Sequence, residues 1–205
     1  MRYQYGSKTN IDEIINGSLD PTEDFNKIKL LVCDSSNIQK IHYYPKNLKE
    51  LICSYNDIKE LGKLPNGLRY LQCYNNQIYK ITDVPTELIE LWCSNNNMIE
   101  LGLLPNNLHS LNCSNNDLQY FKNIPNSLVM LNCAHNHITD LNVLIKDHDN
   151  LQHLNCMDNQ ISNLNDVPDG LTYFKCIDNP FNSVEKIIEK YPEMNGKIKS
   201  IYYMK

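Results

Sequence analysis

The 205-residue sequence has no excess of positive charge and no long apolar run. Its 19 Lys and Arg residues are outnumbered by 24 Asp and Glu residues, which gives a formal net charge of −5. The basic residues are scattered along the chain, so we expect no phosphate-binding stripe and no nucleic-acid partner. No apolar run approaches the ~20 residues that span a bilayer, and residues 1–5 lack the apolar centre of a secretion signal. These absences predict a cytoplasmic chain that has no signal peptide and binds no membrane.

Catalytic and cofactor motifs are missing as well. The sequence contains no Gly-rich phosphate loop, no G-x-S-x-G and no H-E-x-x-H, and no acid, base and nucleophile cluster along the chain. His135 and His137 flank Asn136 at a predicted bend, where both rings are expected to face solvent, and a metal site completed by His153 is the alternative. We therefore expect no enzyme activity, no cofactor, and no catalytic or metal-binding residues.

The chain does contain eight cysteines that recur at a nearly constant spacing. Each step between successive cysteines is 20 residues, apart from one step of 23. The set is Cys33, Cys53, Cys73, Cys93, Cys113, Cys133, Cys156 and Cys176. A fixed period in this range predicts a solenoid, in which each repeat buries its apolar face only by stacking on its neighbours.

The residues around each cysteine recur with it, and the repeat reads L-x-x-L-x-C-x-x-N-x-I-x-x-L. The asparagine column consists of Asn56, Asn76, Asn96, Asn116, Asn136, Asn159 and Asn179, with Ser36 in the first copy. A proline closes most copies three residues before the next one begins: Pro45, Pro65, Pro85, Pro105, Pro125 and Pro168. Because proline fixes φ and lacks a donor, it favours an extended return path over a helix.

This string resembles the leucine-rich repeat family, whose motif L-x-x-L-x-L-x-x-N/C-x-L is matched with Cys at the third Leu. The 20-residue period and closing proline resemble the short, bacterial-type class. The abundance of Asn, Ile, Lys and Tyr resembles the leucine-rich repeat proteins of giant DNA viruses. The resemblance implies an α/β solenoid, a right-handed arc with a parallel β-sheet on its concave face. It also implies a mostly irregular or extended convex face, helical end caps, and an asparagine ladder that bonds backbone groups of adjacent turns.

One continuous structural domain is expected. An N-terminal cap covers residues 1–27, eight repeats cover 28–181, and a C-terminal helical cap covers 182–205. The repeats begin at residues 28, 48, 68, 88, 108, 128, 151 and 171. Short helices are predicted at 10–17, with Asn10 as the cap and a terminal Gly17, and at 182–191, and a final strand is predicted at 198–203. The sixth copy is three residues longer and lacks the proline, and its residues 141–146 form either a loop insertion or a turn of helix.

The cysteines are predicted to be free thiols in the core. Strand alternation points each thiol inward beside its equivalent in the next repeat. One strand spacing exceeds the ~3.8 Å between Cβ atoms that a disulfide needs. No C-x-x-C pair is present to suggest zinc. The eight cysteines therefore form a structural ladder.

The outward positions of the same strands carry the candidate binding residues. Around repeats two to four these are Ile52, Tyr55, Tyr70, Tyr74 and Trp92, with Glu50 and Glu90 beside them. Aromatic side chains next to charges on a rigid sheet are typical of a protein-recognition hot spot, although aromatic residues also stack along a sheet simply to protect it. We predict a noncatalytic protein–protein interaction module that binds a host or cellular protein on its concave face, as a monomer or weak homo-oligomer. The alternative is a structural or self-associating repeat protein, for example virion-associated, without a specific partner.

Overall fold

The chain winds into a parallel β-solenoid in which each described repeat contributes one short strand. The computed structural model describes residues 2–3, 8–141, 148–162, 168 and 170–180. In chain order the elements are β1 (Arg2–Tyr3), α1 (Lys8–Ile15), α2 (Glu23–Asn26), β2 (Leu30–Val32), β3 (Glu50–Ile52), β4 (Tyr70–Gln72), β5 (Lys80–Ile81), β6 (Glu90–Trp92), β7 (Glu100–Leu101), β8 (Ser110–Asn112), β9 (Met130–Asn132), β10 (His153–Asn155) and β11 (Tyr173–Lys175). The predicted helix at 182–191, the strand at 198–203 and most of 141–146 lie outside the described residues.

The main sheet is parallel and keeps equivalent residues of successive repeats in register. Its order is β1-β2-β3-β4-β6-β8-β9-β10-β11, and the pairs from β2 onward are parallel. Leu51, for example, pairs with Leu31 on one side and Leu71 on the other. This sheet confirms the predicted leucine-rich-repeat architecture. The sequence did not predict β1, which pairs antiparallel with β2 and so covers the edge of the first parallel strand.

The core lies directly behind the sheet. Each strand from β2 to β11 of the main sheet buries its central residue more deeply than the two residues beside it. These central leucines, the cysteines and the apolar residues of the return paths form one continuous cluster. The two-residue period of a strand therefore separates an inner face that stabilises the fold from an outer face that is available for binding.

The N-terminal segment packs onto the first repeat. Helix α1 buries Ile14 and Ile15, and α2 buries Phe25, and all three side chains belong to the core cluster. The prediction for the first helix was wrong at its start, because α1 begins at Lys8 and contains Asn10 rather than being capped by it. The predicted end of this helix agrees better with the structure. Gly17 adopts the left-handed backbone (φ 84°) that is common just after the end of a helix. None of the described helices is long and apolar enough to cross a bilayer.

Each return path ends in a tight turn at the proline position. The carbonyl of Pro45 accepts a hydrogen bond from Leu48 N at 3.1 Å, and the turns of the later repeats repeat this bond. The sixth copy has His148 at the proline position, and its carbonyl accepts from Leu151 N at 3.0 Å, so the turn survives without proline. A second small sheet, absent from the sequence prediction, joins β5 and β7 on the return side.

Candidate functional site

The outer face of strands β3, β4 and β6 carries two adjacent rows of side chains that include most of the predicted binding residues. Glu50, Tyr70 and Glu90 are neighbours in the first row, and all three are half-buried. Ile52, Gln72 and Trp92 are neighbours in the second row. Trp92 is 38% exposed, whereas the other two residues of its row are half-buried. Trp92 is therefore the most exposed side chain of its row.

Two tyrosines at non-equivalent positions meet just beyond the strands, since Tyr74 directly follows Cys73 whereas Tyr55 is two residues after Cys53. The rings of Tyr55 and Tyr74 meet edge to face, with centroids 5.3 Å apart and planes at 81°. Tyr55 is 56% exposed. We call the set Ile52, Tyr55, Tyr70, Tyr74 and Trp92, with Glu50 and Glu90, the aromatic surface.

Tyr55 has a left-handed backbone, with φ of 54°. Its equivalents in the other repeats share this conformation: Ser35, Asn75, Asn95, Asn115, His135, Asp158 and Asp178. Asn, Asp and His tolerate the left-handed region better than other side chains, whereas a bulky residue is strained there. The sequence analysis did not predict this left-handed backbone. The pattern that could have indicated it is the Asn or Asp that stands two residues after most of the cysteines. The turn of the repeat requires this conformation, and Tyr55 is the one aromatic carbocycle among the eight equivalent residues that adopt it.

The asparagine ladder lies in the turn behind this face. Asn116 Nδ2 is within hydrogen-bond distance of the carbonyl oxygens of Cys93, Cys113 and Ser114, at 3.0–3.2 Å. Its Oδ1 accepts from Met98 N at 2.9 Å, so one side chain joins two repeats. The other members make the same bonds: Asn56, Asn76, Asn96, Asn136, Asn159 and Asn179. The ladder satisfies buried backbone groups and makes the outer face rigid.

The cysteine ladder is buried, and none of its eight thiols is in a disulfide. Removal from water raises the pKa of each thiol, to about 12 for Cys33, Cys73, Cys133 and Cys176, with Asp34 adding to the rise at Cys33. The thiols are therefore protonated at neutral pH and inaccessible to substrate. They act as apolar filling of the core.

The histidines form separate pairs with aspartates of neighbouring repeats. His135 Nδ1 lies 2.7 Å from Asp158 Oδ2, and His137 Nε2 lies 3.5 Å from Asp117 Oδ1. His153 instead lies beside Tyr173, with ring centroids 6.0 Å apart. Among the described residues, no group of three or more His, Cys, Asp or Glu side chains is arranged to hold a metal ion.

A row of basic residues lies immediately before the strands and was missed by the sequence analysis. Lys29, Lys49 and Arg69 occupy equivalent positions of the first three repeats and line one open groove of about 850 Å³. The groove also contains Glu87 and His109. The expectation that basic residues are scattered was wrong here, and the signal was their 20-residue spacing. We call this feature the basic groove.

No protein-family model matches the sequence, and no curated protein matches it. Solved structures do match. YopM from Yersinia enterocolitica is 32% identical with a TM-score of 0.67 and matches 71% of this chain, which spans 32% of YopM. A Shigella effector LRR domain is 20% identical with a TM-score of 0.68, over 93% of this chain and 83% of that domain. The functional domain of InlJ from Listeria monocytogenes, described as including a cysteine ladder, is 24% identical with a TM-score of 0.60, over 85% of this chain and 51% of that one.

Proposed function

Because the chain is a leucine-rich-repeat protein, we propose that it is a noncatalytic module that binds a protein partner through the aromatic surface. The observation that carries this proposal is the exposed Trp92 on β6, beside the edge-to-face pair of Tyr55 and Tyr74. Large aromatic side chains on a preorganised surface lose little conformational entropy on binding, which is why they dominate protein–protein hot spots. The solved structures of this fold include a Shigella effector domain, which supports a host or cellular protein as the partner.

The strand side of the solenoid suits this role physically. The register of β3, β4 and β6 fixes two rows of outward side chains, and neighbouring residues within a row are one strand spacing, ~4.8 Å, apart. The asparagine ladder and the packed leucines hold these strands from behind. A partner that binds here meets a surface that is already ordered, so the ordering cost falls mainly on the partner.

The thiols support a noncatalytic role and a cytoplasmic location. The eight cysteines are the strongest nucleophiles that the sequence contains, yet each is buried and protonated. Eight unpaired cysteines also suit a reducing compartment. We therefore propose a cytoplasmic location, which would be the host cytoplasm if the protein is viral.

Comparative affinity capture tests the proposal. The Trp92→Ala/Tyr74→Ala variant removes the centre of the aromatic surface but leaves the core untouched. The matched control is Leu103→Ala/Tyr120→Ala, which removes one aliphatic and one aromatic side chain that are 67% and 57% exposed outside the main sheet. Both variants are expected to keep the circular dichroism spectrum of the wild type.

We expect the wild type and the control variant to capture the same partner protein in similar amounts. The Trp92→Ala/Tyr74→Ala variant should no longer retain that partner. Equal capture by all three proteins would contradict binding through the aromatic surface. Concentration-dependent oligomers in light scattering, lost with Trp92→Ala and formed without any partner, would instead support self-association.

A further inference from the structure

The basic groove combines three cations in one row on a protein whose net charge is negative. Lys29, Lys49 and Arg69 each stand immediately before a strand of the main sheet. Their backbones are fixed in register, because the Lys29 carbonyl accepts from Lys49 N and the Lys49 carbonyl accepts from Arg69 N, both at 2.8 Å. The three positions are therefore one strand spacing apart, ~4.8 Å each. Farther along the chain the equivalent positions are Ile89, His109 and Val129, so the strong charge is confined to the first three repeats.

Lys49 is held across the groove by an unusual contact. Its Nζ lies 2.8 Å from the point where a Cβ on Gly67 would stand, so its side chain passes over the bare backbone of the next repeat. Beyond Gly67 it reaches Glu87, with Nζ 3.7 Å from Oε2. The Asn47 and Asn107 side chains occupy the position equivalent to Gly67 in other repeats. Gly67 thus makes room for an ordered lysine in the centre of the row.

The two outer cations of the row remain available. The ion pairs among the described residues include Lys49 but neither Lys29 nor Arg69. The Arg69 guanidinium carbon lies 6.0 Å from the centroid of the Tyr70 ring, at the outer limit of a cation–π contact. This contact orients Arg69 while its N–H donors stay accessible to an anion.

We propose that the basic groove binds an acidic polypeptide segment. An extended chain presents alternate side chains about 7 Å apart on one side, so a run of Asp and Glu places carboxylates beside Lys29 and Arg69 without a strict register. Glu50 and Glu87 also line the groove, where their carboxylates can accept hydrogen bonds from the N–H groups of a peptide backbone, which a phosphate backbone lacks. The groove adjoins Tyr70 of the aromatic surface. The proposal rests on the proposed protein-binding function and adds that the partner carries an acidic segment next to its apolar contact.

Fluorescence anisotropy with a labelled short polyglutamate peptide tests this at low ionic strength. The groove variant is Lys29→Gln/Lys49→Gln/Arg69→Gln. The control variant Lys40→Gln/Lys59→Gln/Lys63→Gln makes the same change in charge with exposed lysines outside the groove. Because the whole protein is negative, non-specific attraction of the peptide is weak and binding reports a local site. A polyglutamine peptide and a single-stranded oligonucleotide of equal charge complete the set of probes.

We expect wild type and control variant to bind polyglutamate alike, and the groove variant to bind about tenfold more weakly. Binding should weaken as NaCl is raised, and polyglutamine should not bind. Gly67→Asn should also weaken polyglutamate binding, because the new side chain displaces Lys49. Thermal unfolding of each variant checks that the fold is retained.

Equal loss of affinity in the groove and control variants, or no binding of polyglutamate to the wild type, would overturn the proposal. Tighter binding of the oligonucleotide than of polyglutamate would also overturn it, in favour of nucleic acid. Trp92→Ala/Tyr74→Ala should leave polyglutamate binding unchanged. The experiments can therefore contradict peptide binding in the basic groove while supporting partner capture through the aromatic surface. They can equally contradict capture through the aromatic surface while supporting peptide binding in the groove.

Discussion

At the scale of single residues, the asparagine ladder stabilises the fold by satisfying buried backbone groups. Each ladder asparagine is largely buried and bonds backbone groups of two repeats, as Asn116 does with Met98 N and the Cys93 and Cys113 carbonyls. Removing such a side chain leaves several buried backbone groups without partners, and each one costs free energy because water cannot replace the lost bond.

Asn116→Ala should therefore lower the free energy of unfolding by about 2–4 kcal/mol in a denaturant titration. Asn112→Ala is the control, because Asn112 lies in the same repeat but is only half-buried on the outer face. Its Oδ1 accepts from Ser114 N and Oγ at 3.2 and 2.9 Å, within its own repeat. We expect a loss below about 1 kcal/mol for this control. Similar effects of the two substitutions would contradict the role assigned to the ladder.

Tyr55→Asn should leave stability nearly unchanged but weaken partner capture. Asparagine suits the left-handed backbone at this position and relieves strain of about 1 kcal/mol. The substitution also removes the edge contact with Tyr74, which is worth about 0.5–1.5 kcal/mol. Because the two effects offset each other, the unfolding midpoint should barely move. A large destabilisation would show that Tyr55 serves the fold, and unchanged capture would remove it from the aromatic surface.

The sequence was sufficient to predict the inward residues but not every outward one. Leu51 and Cys53 follow from alternation, because positions two apart share a face of the strand and the columns that are apolar in every repeat identify the core face. The path of Lys49 over Gly67 depends instead on how a long side chain crosses to the next repeat, which periodicity does not determine. The left-handed backbone of Tyr55 was missed for a related reason, since tyrosine does not itself favour that conformation.

At the scale of elements, the return paths pack against one another through backbone contacts. Gly102, immediately after β7, donates a hydrogen bond to Ile81 O at 2.7 Å. A Cβ at Gly102 would lie 2.2 Å from the Thr82 carbonyl oxygen. Two consecutive return paths therefore approach so closely that only glycine fits between them.

Gly102→Ala should lower the free energy of unfolding by about 2–4 kcal/mol, because the methyl group must displace backbone rather than a flexible side chain. The same substitution at Gly62, the equivalent residue two repeats earlier, is the comparison. Gly62 has φ of 65° and no atom within 4 Å of its added Cβ, so Gly62→Ala should cost only about 1 kcal/mol of conformational strain. Thermal and urea unfolding of both variants measure the difference. Equal costs would contradict the close approach at Gly102.

The short strands and the proline turns were predictable, whereas two elements were not. The eight parallel strands follow from repeated apolar spacing. Strand β1 has only two residues, so it shows no alternation that could predict it, and it forms because the edge of β2 is available for pairing. The pairing of β5 with β7 likewise depends on the distance between return paths rather than on strand propensity.

At the scale of the whole molecule, the cysteine ladder should lower the stability of the fold as pH rises into the alkaline range. Burial raises the folded-state pKa of each thiol above the unfolded value of about 8.5. The unfolded chain therefore loses its thiol protons first, and stability that is complete below pH ~8.5 falls as pH rises towards the folded-state pKa. Each buried thiol contributes to this loss, and the contributions of the eight thiols add.

We therefore expect the free energy of unfolding to fall as pH rises from about 8.5 towards about 12 in reducing buffer, as followed by circular dichroism. Cys73→Val/Cys93→Val removes two of the eight thiols. This variant should reduce the slope of unfolding free energy against pH in that range by about a quarter. A slope that does not change would mean that the thiols ionise equally in the folded and unfolded states.

The aromatic surface and the basic groove together form one continuous outer region over the first four repeats, opposite the buried thiols. Site-specific photo-crosslinking tests whether this region is where a partner binds. A benzophenone amino acid replaces Trp92 in one protein and Leu103 in another, and both are exposed positions. We predict a discrete adduct with the captured partner from position 92 and none from position 103. An adduct only from position 103, or one made only of a second copy of this chain, would contradict binding of a partner through the aromatic surface.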